Sequence, residues 1–149
     1  RETGIPVMAD ESLRDLADAD RLIEGDAAAI FNVRLGKNGG LWAAHRLCER
    51  ARAAEVEIHL GTMVGETGVL SRASEVFGRC EPGFACLDGK GQNAFLLEVD
   101  ILGESSHHRA PSDGPRVGPD DRTDSAPGLG AFVYEQRIEE HRVGDGLRF

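Results

Sequence analysis

The chain of 149 residues is long enough for one ordinary domain, and 40% hydrophobic with 29% charged residues is a globular composition rather than a disordered one. A formal net charge of −9 weighs against a phosphate-backbone binder, which needs a basic surface, so no nucleic-acid partner is expected. No apolar run approaches the roughly 20 residues of a membrane span. The N-terminus carries no charged-then-apolar leader, so the expected setting is cytoplasmic, without a membrane partner.

Residues 5–9, Ile-Pro-Val-Met-Ala, read as a short buried strand that ends on Asp10, Glu11 and Ser12. Leu13, Leu16, Ala19, Leu22 and Ile23 then recur at helical spacing and predict a helix over 13–24. Ser12 is its expected cap and Gly25 its stop. Residues 30–35 form the next strand, followed by Arg34, Lys37 and Gly39-Gly40. The glycines open a helix over 41–54, with Leu41, Ala44, Leu47, Cys48 and Ala51 on one face and Trp42 as a packing anchor at its start. Residues 56–60 are the third strand, and 66–80 a third helix with Val69, Leu70, Ala73, Val76 and Phe77 inward. Residues 84–87 are a fourth strand that ends at Asp88-Gly89. Beyond it come an apolar segment at 96–102, a Gly-, Pro-, Ser- and Asp-rich loop at 103–129, a final strand at 131–134 and a loose polar tail.

This order, βαβαβαβ, argues for an α/β fold with a parallel sheet and crossover helices. Successive strands deliver polar residues at their C-terminal ends, where parallel barrels keep their chemistry. Asp10 is a candidate metal ligand, against the plainer reading of an acid at a helix start. Glu11 reads as an ion-pair partner for Arg34 or Lys37. Arg34 and Lys37 are candidate catalytic residues, against two solvated cations on a loop. Glu66 is a third, against an acid at a helix N-terminus, and Asp88 and Met63 are candidate substrate contacts, against a turn role for Asp88. His45 and His59 read as packing or surface residues. Three cysteines, Cys48, Cys80 and Cys86, with no Cys-x-x-Cys, point to reduced thiols rather than a disulfide or zinc framework.

Ala9-Asp-Glu-Ser12, Asn32-Val-Arg-Leu-Gly-Lys-Asn-Gly-Gly40, Gly61-Thr-Met-Val-Gly-Glu66 and Leu87-Asp-Gly89 stand in an order and spacing that resembles the enolase superfamily, in its muconate-lactonizing and mandelate-racemase branches. Pro127-Gly-Leu-Gly130 is similar to that family's closing segment. The resemblance implies the C-terminal half of a (β/α) TIM-like barrel, with strands five to eight in residues 1–102 and a loop-rich segment at 103–149. Asp10 matches the family's third magnesium ligand. The acid/base lysine of the cycloisomerase and epimerase branch stands 24 positions later, where this chain has Arg34. An arginine does not deprotonate under ordinary conditions, so Arg34 is expected to hold an anion rather than act as a base. The strand-seven His and strand-six Asp of the racemase branch are not matched: His59 lies too early, and Arg34 occupies the Asp position. The family's other two metal ligands, its Lys-x-Lys base and most of its cap would precede Arg1.

The resemblance implies part of a magnesium-dependent lyase or isomerase that abstracts a proton α to the carboxylate of a small acid. Magnesium would be weak or absent in the chain alone, and an N-terminal half or a second copy would complete the site. The rival expectation is a catalytically silent half barrel that self-associates or binds a small acid.

Overall fold

The structure, a computed structural model, describes residues 4–88, 100–102, 128–129 and 133–140. Among these the elements run β1 (Met8–Ala9), α1 (Leu16–Glu24), β2 (Ile30–Val33), α2 (Leu41–Ala53), β3 (Glu57–Leu60), α3 (Gly68–Cys80), β4 (Phe84–Leu87) and α4 (Glu135–Glu140). The strands make one sheet in the order β1-β2-β3-β4, with every neighbouring pair parallel. Residues 4–64 and 73–88 belong to one compact unit, which holds the sheet, and the remaining described residues to a second.

In the first unit the two faces of the sheet differ because side chains alternate along a strand. Ala9, Phe31, Val33, Ile58 and Leu60 are buried, together with Leu13, Ala19, Ala44, Leu47, Cys48, Ala51 and Phe77 from the helical side. β2 is the best covered strand, with Phe31, Asn32 and Val33 all buried, as expected where a parallel strand has neighbours on both sides. Phe77 of α3 meets Phe84 of β4 at 5.9 Å between ring centroids. The opposite face carries Asp10, Asn32, Arg34 and His59: register pairs Ala9 with Phe31 and Asn32 with His59, and the strands keep that phase to their C-terminal ends.

β1 is two residues long rather than five, and Ile5 (70% exposed) and Val7 lie on the surface. Pro6 supplies no N–H for a ladder, and among the described residues β1 pairs with β2 alone. α1 starts three residues later than the periodicity suggests, because Asp15, not Ser12, is its cap: the Asp15 carboxylate accepts from the Asp18 N–H at 2.9 Å. Leu13 still packs in the core, from the loop before the helix. Trp42 is 72% exposed and stacks on His45 at 5.5 Å instead of anchoring the core, and Leu41 is exposed too. Gly39 and Gly40 do open α2, at φ of 85° and 91°, a region glycine enters without steric cost.

In the second unit the Asp100 carboxylate accepts from the Gly68 N–H at 2.7 Å and the Leu102 N–H at 2.9 Å. Arg137 donates to the carbonyls of Asp100 and Leu102 at 2.8 and 2.7 Å. Of the strand expected at 131–134, Val133 makes an isolated antiparallel bridge to Leu102, and residues 131–132 lie outside the described residues. Part of the expected loose tail is the helix α4. The loop expected at 103–129 lies outside the described residues except for 128–129, and so do residues 96–99 of the apolar segment.

Phe31 is fully buried at the centre of the sheet, so Phe31→Ala should cost about 3–5 kcal/mol in urea unfolding, whereas Trp42→Ala should change stability by no more than about 0.5 kcal/mol.

Candidate active site

The C-terminal ends of β1 and β2 bring three of the candidate residues together. Asp10 follows β1 directly, and Arg34 follows β2. The Arg34 Nη2 donates to Asp10 Oδ2, and its Nη1 lies 3.6 Å from the Glu11 carboxylate. Glu11 thus pairs with Arg34, as its sequence position suggested. Lys37 Nζ donates to Asp10 Oδ1 at 2.8 Å, to the Asp10 carbonyl at 2.7 Å and to the Asn32 carbonyl at 3.0 Å. An ammonium has three protons, so these three acceptors saturate it. Lys37 is 9% exposed and Asp10 31%.

The local sequence explains why the cations sit there. Residues 34–40 form a tight turn in which the Lys37 and Asn38 N–H groups donate to the Arg34 carbonyl and the Gly40 N–H to that of Leu35. Asn38 is buried, and its amide is used on both sides. Its Oδ1 accepts from the Arg34 N–H at 2.8 Å, and its Nδ2 donates to the Leu13 and Arg14 carbonyls at 2.9 and 3.0 Å. Sequence reasoning did not single Asn38 out. Its signal was the asparagine inside the Lys-Asn-Gly-Gly turn. Asn32 was also missed as a site residue. Its buried side chain lies against Gly61, where any Cβ would run into the Asn32 amide.

Partial burial acts to raise the Asp10 pKa, but the Lys37 hydrogen bond and charge, the Arg34 charge and a hydrogen bond from Asn32 outweigh it, so the carboxyl titrates below its ordinary 3.8. Arg34 Nε and Thr62 Oγ1, which follow β2 and β3, are buried without a hydrogen-bond partner among the described residues.

The other candidates fall elsewhere. Asp88 follows β4 at the same end of the sheet; its N–H donates to the Leu60 carbonyl at 2.8 Å, and its side chain is exposed. Met63 is half-buried in the segment after β3. Glu66 belongs to the second unit, where it is buried and accepts from the Ser71 hydroxyl at 2.7 Å. A second carboxylate cluster, away from the strand ends, had no sequence signal. Glu81 is buried just after α3 and takes His45 Nδ1 and Arg52 Nη2, each at 2.6 Å, which ties α2 to the end of α3. Beside it, burial above all pushes the Cys48 thiol up to about 12, so that thiol is inert packing.

These residues alone do not fit a magnesium ion. The ion takes about six oxygens in a near-octahedral array. Here both Asp10 oxygens already face cations, and no group of three or more His, Cys, Asp or Glu residues among the described residues could hold a metal. At about 4 Å and an effective dielectric near 20, each unit of like charge costs about 4 kcal/mol, so Arg34 and Lys37 would repel a divalent ion strongly.

A parallel βα array with its polar groups at the C-terminal strand ends is an arrangement that parallel α/β barrels share. The chain matches the family described as enolase C-terminal domain-like over residues 1–136. It is similar to N-succinyl-L-Arg/Lys racemase of Bacillus cereus, at 28% identity over 95% of this chain and 35% of that protein. The crystal structure of the Bacillus cereus racemase superposes with a TM-score of 0.75 at 26% identity, covering 96% of this chain and 35% of that one. Muconate cycloisomerase 1 of Pseudomonas putida is 42% identical over 46% of this chain and 18% of its own length. A muconate lactonizing enzyme structure gives a TM-score of 0.71 at 29% identity, covering 91% of this chain and 35% of that one. The chain spans 18–20% of the length of the first curated relatives it matches. It belongs to the enolase C-terminal domain-like family, and its four strands are the C-terminal half of a TIM-like barrel. Among the described residues no helix is long and apolar enough to cross a membrane.

The lowered Asp10 pKa sets a pH dependence. A group held below its unfolded value stabilises the fold fully above 3.8 and loses that contribution as pH falls through the lower, folded value. The stability gap between the unmodified protein and Asp10→Asn, read from urea midpoints, should therefore be constant near neutrality and close only under acid conditions below 3.8.

Proposed function

We propose that this chain is the C-terminal part of an enolase-superfamily lyase or isomerase that removes the proton α to the carboxylate of a small acid. The observation that carries the reading is the Asp10–Arg34–Lys37 group, set across the C-terminal ends of neighbouring parallel strands. Similarity to a racemase, a cycloisomerase and o-succinylbenzoate synthase supports the class, in which one proton abstraction leads on to racemisation, cycloisomerisation or loss of a leaving group.

Within that site Arg34 works as a fixed positive charge. Asp10 and Glu11 hold its two Nη groups, and a guanidinium offers donors but no acceptor. It can hold the substrate carboxylate or the negative charge that grows as the proton leaves, which is worth about 3–4 kcal/mol in a dry site. Lys37 spends its three protons on the strand ends, so it fixes Asp10 rather than exchanging protons with substrate. In this reading the proton acceptor comes from the rest of the barrel. The exposed Ile5, Val7 and Met8 at the β1 edge suit a covering partner of that kind, an upstream half or a second copy.

The test is solvent deuterium exchange at the α carbon of small carboxylic acids, in the protein with its barrel complete. Exchange should occur, and Arg34→Met should slow it by about 10²–10³-fold without removing the basic limb of the pH profile. No exchange on any acid would sink the class. Loss of exchange into one stereoisomer only, in Arg34→Met, would show that Arg34's side of the site moves protons.

A further inference from the structure

We infer that Arg34 and Lys37 have taken the place of a divalent cation at Asp10, so that Asp10 serves as their counter-ion and a metal can reach it only by displacing Arg34. This concerns the state of Asp10 and does not depend on which reaction the barrel performs.

Every oxygen of Asp10 is in use. Oδ1 accepts from Lys37 and Oδ2 from Arg34, while the carbonyl accepts from both the Leu13 N–H at 3.0 Å and Lys37 at 2.7 Å. Lys37 cannot swing away without abandoning three acceptors, one of them the Asn32 carbonyl on the next strand. The turn that carries both cations is itself pinned by the buried Asn38 amide. Charge balance points the same way. Asp10 and Glu11 face Arg34 and Lys37, two acids against two cations, whereas a divalent site keeps an excess of negative charge. Of the two cations Arg34 is the one that can leave. Among the described residues its ion pairs are with the half-exposed Asp10 and the exposed Glu11, and its departure frees Oδ2.

The experiment is paramagnetic broadening of amide signals by Mn²⁺ alone, an ion that favours the same oxygen donors as magnesium and reports even transient contact. In the unmodified chain Asp10 and Glu11 should broaden no more than exposed acids elsewhere, such as Glu24 and Glu49. In Arg34→Met the Asp10 signal should broaden first, at a Mn²⁺ concentration at least about tenfold lower than in the unmodified chain. The charge-retaining Arg34→Lys should behave like the unmodified chain, and adding Asp10→Asn to Arg34→Met should abolish the effect. Should Arg34→Met fail to give a folded spectrum, Arg34→Gln serves, with the same expected gain. The inference is overturned if Asp10 already broadens first in the unmodified chain, or if removing the Arg34 charge leaves its response unchanged.

Discussion

The contact on which the site depends is the Asp10 carboxylate held between Lys37 and Arg34. β1 is only two residues long and, among the described residues, has one neighbour, so ladder hydrogen bonds there give its C-terminal end little support. Lys37 supplies it instead, bridging the Asp10 carbonyl and carboxylate to the Asn32 carbonyl of β2. Charged hydrogen bonds of this kind are worth about 1.5–3 kcal/mol each when partly sheltered. The same bonds aim the carboxylate at Arg34, so the stability of a short strand and the placement of a cation at the rim are one arrangement.

Alternation along the strands accounts for the rest. Phe31 and Val33 face the helices and are buried there, while Asn32 and Arg34 face the other way. Ile58 and Leu60 repeat the pattern on β3, with His59 and Gly61 opposite. Gly61 leaves room for the Asn32 side chain, and Asn32 in turn reaches the Asp10 carboxyl. A slip of one residue in the pairing of β2 and β3 would put polar groups against α2 and apolar ones in the site.

Much of this was legible in the sequence, and the reason is periodicity. The strands at 30–33, 57–60 and 84–87 and the inward face of α2 follow from apolar runs and helical spacing, which do not depend on distant contacts. The 24-residue interval that sets Asp10 beside Arg34 came with the family resemblance and not with periodicity. Hidden features were those that depend on a particular partner. Asp15 displaced Ser12 as the cap of α1, because the Asp15 carboxylate meets the Asp18 N–H and so fixes where the helix starts. Trp42 looked like a packing anchor, yet it is 72% exposed and its ring lies beside His45. Nothing in the spacing reported that Lys37 would be saturated, that Asn38 would pin the turn, or that Glu81 would take His45 and Arg52 across two helices.

Asp10 and Lys37 act as one unit. A double-mutant cycle of Asp10→Asn and Lys37→Met, read from urea unfolding near neutral pH, tests this most directly. The coupling energy should be about 1–3 kcal/mol, as contacting charged partners give. Additive losses, with a coupling within about 0.3 kcal/mol of zero, would show that the two side chains do not support one another and would contradict it.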